Sequence, residues 1–142
     1  MVRISRYIYL GISWLFVVGV VTQVFLAGMV VVAVKLGWDY HIALGHTLGL
    51  PLILMLISMY LGRLPRSMKW MTWLLFGAYV LQADVLIFLR LQAPVLSAFH
   101  PVMALVDFAL GLTLARRAVP LARQVPAPAS STAGLEASTN SQ

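Results

Sequence analysis

The chain has 142 residues, 61% of them hydrophobic and only 10% charged, with a mean hydropathy of +0.93; a soluble domain of this length needs far less apolar content to fill a core. It contains no cysteine, which excludes disulfides, thiolate-bound zinc, iron–sulfur clusters and covalently attached c-type haem, and leaves metal chemistry to His, Asp, Met or Tyr. The net charge of +6 is not a nucleic-acid surface, because the basic residues are divided among the ends of apolar segments and form no basic helix or aromatic-interleaved patch.

Arg3 and Arg6 precede a first apolar stretch at about 7–34, which is too long for a removable signal peptide and lacks a small-residue cleavage site. After a short break carrying Lys35 and Asp39, a second stretch at about 40–61 opens on His41 and contains Gly45, His46 and Pro51, whose ring should kink it. The connection "GRLPRSMK", Gly62 to Lys69, is basic and broken by Pro65; a third stretch follows at about 68–89 with Gln82 and Asp84 inside it. Only Arg90 marks the next connection, and Pro94 starts a fourth stretch at about 95–115 that holds His100, Ala104 and Asp107.

Crossing a bilayer core takes roughly 20 apolar residues, so each stretch is long enough. Short connections force neighbouring helices to run antiparallel. The expected fold of residues 1–118 is therefore an all-α, up-down, integral membrane four-helix bundle in contact with lipid. From residue 119 to 142 the composition turns to Pro, Ala, Ser, Thr and Gln, which reads as a disordered polar tail to which no function is assigned. By the positive-inside rule, Arg3 and Arg6, Arg63, Arg66 and Lys69, and Arg116, Arg117 and Arg123 put both termini and the middle connection in the cytoplasm. The two stretches that open on histidine then begin at the opposite face.

An offset of 59 residues aligns Trp14 with Trp73, Gln23 with Gln82, Tyr40 with Phe99, His41 with His100 and Gly45 with Ala104. Trp, Gln and His are scarce in this chain, so their joint alignment predicts a duplicated helical hairpin. Parallel repeats of this kind are related by an axis along the membrane normal. The duplication sets His41 and His100 at equal depth on two parallel helices, the arrangement that axial ligation of a haem iron in a bundle core requires. Gly45 and Ala104 fall four residues beyond the histidines on the same face and would leave room for a porphyrin. His46 lies roughly 140° around the helix from His41, so only one of them can point inward, and His46 stands as the alternative ligand. The competing reading leaves the histidines as interfacial residues satisfied by headgroups or water.

Gln23 and Gln82 are expected to make interhelical amide hydrogen bonds. Asp84 and Asp107 are intramembrane carboxylates, costly there and functional candidates by default; Asp84 also has a local pairing available with Arg90. No Walker loop, nucleophile–base–orienter set or HExxH pattern is present.

Taken together, "QVFLAG" at Gln23 to Gly28, "HIALGHTLGLPLILMLI" from His41, "GRLPR" at Gly62 to Arg66 and "AFHPVMAL" at Ala98 to Leu105 resemble the uncharacterised four-helix bacterial membrane proteins grouped as domain of unknown function family 6220. The resemblance runs from Arg6 to Arg117; it implies the four-helix fold and a bacterial cytoplasmic membrane, and little about activity. A more distant likeness is to one four-helix half of haem A synthase, in which histidines opening the second and fourth helices bind haem, as His41 and His100 would here. That enzyme has two halves and a glutamate just ahead of a ligand histidine, whereas this chain has one half and Asp39 at a different spacing. Haem modification is accordingly not expected, and simple binding of haem b is.

These readings give an expected function as a small b-type haem membrane protein in electron transfer. Two alternatives stand beside it: a non-catalytic accessory subunit packed on a membrane partner or on its own copies, and a small transporter using Asp84 and Asp107 as proton or ion sites.

Overall fold

The structure, a computed structural model, describes residues 1–33 and 37–123, and every regular element among them is helical. Four helical spans are long and apolar enough to cross a membrane: Val2–Val32, Asp39–Leu61, Arg66–Phe88 and Pro94–Arg123. The first is one helix, α1 (Val2–Ala33), which starts five residues ahead of the expected point. Lys35, Val34 and residues 124–142, where most of the expected tail falls, lie outside the described residues.

The second span is two helices, α2 (Asp39–Thr47) and α3 (Gly49–Leu61), broken at Leu48. Pro51 explains where the break falls. It has no N–H to give to the carbonyl of Thr47 four residues back, so the ladder fails there and not at the proline itself. The third span runs through α4 (Arg66–Val80), a five-residue π-helical stretch at Leu81–Val85, and the short α5 (Leu86–Phe88). The fourth opens with α6 (Pro94–Ser97), with Pro94 at its first turn, and continues as α7 (His100–Arg123).

The expected start of a structureless tail at Val119 is corrected by α7, which continues to Arg123 with Pro120 inside it. Pro120 removes only one bond, to the carbonyl of Arg116, close to the helix end where carbonyls lose their partners in any case. Farther on, Arg6 reaches across from α1 and donates through Nη1 to the carbonyl of Leu121 (3.3 Å) and through Nε to that of Gly62 (3.0 Å). One guanidinium thereby ties the first span to the ends of the second and fourth.

Around the bundle, the first span packs on the second and fourth, and the third span packs on the same two. The first and third spans are diagonal, as are the second and fourth. One apolar cluster fills the middle, including Tyr9, Phe16, Leu52, Met55, Leu75 and Leu114, all fully buried. Two glycines set the helix spacing. A side chain at Gly19 would collide with Leu48, and one at Gly111 would press on Phe16 and Val17, so close backbone approach of the first span to the second and fourth depends on the missing Cβ atoms.

Candidate functional site

His41 and His100 begin diagonal helices at the same end of the bundle, and their rings lie 6.2 Å apart between centroids, inclined by 64°. Each histidine is fixed in the same way. His41 Nδ1 is 3.1 Å from the carbonyl oxygen of Gln23, and His100 Nδ1 is 3.0 Å from that of Gln82, each partner lying 18 residues earlier in sequence. A carbonyl oxygen only accepts, so in the neutral ring Nδ1 carries the hydrogen and Nε2 keeps its lone pair. This is the tautomer of a metal-ligating histidine whose second nitrogen is oriented by the backbone. Trp38 stands edge-on to His41 with centroids 5.4 Å apart.

The glutamines are thus partners of the histidines, through main-chain atoms the sequence pattern does not mark. Gln23 also donates from Nε2 to the carbonyl of His41 (2.9 Å), which is the interhelical amide bond expected of it. The Oε1 atoms of Gln23 and Gln82 are both buried without a hydrogen-bond partner. A further matched pair lies deeper in the bundle: Ser13 donates to the carbonyl of Tyr9, and Thr72, its equivalent at the 59-residue offset, donates to that of Met68, the equivalent of Tyr9. The bonds of Ser13 and Thr72 are the back-bonds that Ser and Thr make to the preceding turn of a helix; the matched His41–Gln23 and His100–Gln82 bonds between spans are the contacts that a duplicated hairpin repeats.

Gly45 departs from its expected role. A Cβ there would sit 2.7 Å from Gln23 Nε2, so the space it frees is taken by the glutamine and not left for a porphyrin. Its carbonyl accepts from the Tyr79 hydroxyl at 2.7 Å, with the carbonyl of His46 at 3.3 Å from the same oxygen. Ala104, its counterpart, is half-buried one turn after His100. The His46 side chain is exposed and lines an open groove of about 560 Å³ with Ala83, Asp84, Val85, Ile87 and Phe88. Asp84 lines the same groove as His46, and among the described residues it makes no ion pair with Arg90.

Asp107 is the deepest polar residue of the fourth span, 2% exposed, and its Oδ1 has no partner. Among the described residues no three His, Asp or Glu side chains converge as a metal site. The arrangement at the bundle end is a two-imidazole site.

The fold and this site define a membrane-type four-helix bundle built from two like hairpins, each contributing one oriented histidine. Residues 23–87, from Gln23 past the π-helical turn, match the model of a family described as a family of unknown function (DUF6220). No curated protein and no solved structure matches the chain.

Proposed function

We propose that the protein is a small b-type haem protein of the bacterial cytoplasmic membrane, held by His41 and His100 as axial ligands and passing electrons to or from a membrane partner. One observation carries the reading: two imidazoles from equivalent positions, each with Nδ1 engaged and Nε2 free, at a centroid separation of 6.2 Å. Two imidazole nitrogens bound about 2.0 Å from one metal ion on opposite sides put their ring centres roughly 6 Å apart. A bare metal ion would be under-ligated by two histidines, whereas a haem brings its own four equatorial nitrogens. His41 and His100 would hold the haem, which would supply one-electron transfer there.

The chain's own contribution is orientation. The Gln23 and Gln82 carbonyls fix the tautomer of each ring, and Trp38 limits the rotation of His41. The distribution of arginine and lysine supports a reading with the histidine end on the outer side and both termini in the cytoplasm.

The test is purification of the full chain in mild detergent from cells supplied with haem, followed by absorbance in the Soret region before and after reduction. A haem that co-purifies and shifts on reduction supports the reading. Its absence in folded protein overturns it and leaves the accessory-subunit reading, in which the same surface serves only lipid and partner helices.

A further inference from the structure

The two hairpins match closely at the histidine layer and diverge one layer further in. At the 59-residue offset, Val20 corresponds to Tyr79 and Leu48 to Asp107. The first pair is apolar and buried, at 6% exposure each, and belongs to the central cluster. In the second hairpin the same positions carry a hydroxyl and a carboxyl. A carboxyl with an orphaned oxygen is costly in a membrane core, and the sister hairpin demonstrates that the fold does not need one there.

A proton is the occupant this site can satisfy. A hard cation needs about six oxygen ligands, and among the described residues no cluster of three ligating side chains exists. Tyr79, on the neighbouring third span, is half-buried and packs against the central cluster. Its hydroxyl already bonds to the carbonyls of Gly45 and His46, and the His46 side chain and Asp84 line the groove that opens at the surface. The first span offers nothing that competes, since between Tyr9 and Ala33 it has no ionisable side chain. On α7 itself the nearest titratable groups are His100 and Arg116, each about two turns away. Tyr79 and Asp107 thus place a hydroxyl and a carboxyl where the first hairpin carries Val20 and Leu48.

We propose that Asp107 is a proton-binding site that exchanges protons with the His46–Asp84 groove along a path that passes Tyr79. On loading, the Asp107 carboxylate takes up one proton and becomes a neutral carboxyl; on unloading it gives that proton back. The proposal is independent of the haem reading, and its test needs no haem.

The experiment is infrared spectroscopy of the full chain in lipid vesicles, following the carboxyl C=O band across pH and after transfer to deuterated water. The expected result is a protonated-carboxyl band that is lost in Asp107→Asn, and a deuterium exchange of that band slowed at least about tenfold in Tyr79→Phe. His46→Ala combined with Asp84→Asn should slow it less. If Asp107→Asn does not fold, Asp107→Leu, which installs the residue found at the equivalent Leu48, serves as the band-assignment control. A spectrum in which neither Asp107 variant removes a band, or exchange in Tyr79→Phe at the wild-type rate, overturns the proposal.

Discussion

At the arginine end of the bundle, Met59, Leu114, Ala115, Ala118 and Ala122 are sealed from the surroundings, Tyr9 and Thr72 share a buried 2.6 Å hydrogen bond between diagonal spans, and Arg6 ties three spans together. At the histidine end the second span breaks at Leu48, the third passes into a π-helical turn, the fourth opens with a separate turn, and three buried side-chain oxygens lie unpaired there or just below. Irregular backbone and unpaired acceptors both cost stability. Their concentration at one end sets a well-packed half against a half with irregular backbone and unpaired acceptors, where the proposed haem and proton sites fall.

This division can be broken most forcefully at the packed end. Leu114→Ala should destabilise the bundle by about 2–5 kcal/mol, the usual range for emptying a fully buried leucine site, with haem per folded molecule unchanged. Unfolding in mixed detergent measures the first quantity and pigment-to-protein ratio the second. At the open end, Gly45→Val should do the reverse. It pushes Gln23 off the carbonyl of His41 and so disturbs the ring's support, lowering haem affinity by about tenfold, in the range seen when ligand-orienting contacts are lost. Haem titration of the apoprotein reads it. Removing the diagonal bond with Thr72→Val should cost only about 1 kcal/mol, because interhelical hydrogen bonds in membranes are individually modest, and should leave the spectrum alone. His46→Ala is the smallest change: haem content and stability should match wild type, since this ring faces the groove and not His100.

The four spans and the equivalence of His41 and His100 are legible in the sequence because both rest on side-chain identity: long apolar runs, and scarce residues recurring at one offset. What holds the histidines is not legible. Nδ1 of each bonds to a main-chain carbonyl on the preceding span, and a carbonyl has the same chemistry whichever residue bears it. The presence of glutamine at both positions is the only trace the sequence offers. Gly45 was open to misreading for a related reason, since a small residue signals close approach without saying by what. Here it is Gln23, not a cofactor. Asp107 shows the converse limit: its position on the same face as His100 follows from spacing, but the absence of any partner for Oδ1 depends on the packing of other spans around it.

The central claim is that two equivalent histidines, one from each hairpin, hold a single haem. It is tested most directly by measuring the spectrum and haem content of His41→Ala and His100→Ala side by side, normalised to folded protein in the membrane. Because each ring supplies one axial bond, the account predicts that either substitution alone abolishes the six-coordinate low-spin spectrum of the wild type. Retention of that spectrum in either variant, or its loss in His46→Ala in place of His41→Ala, would contradict it.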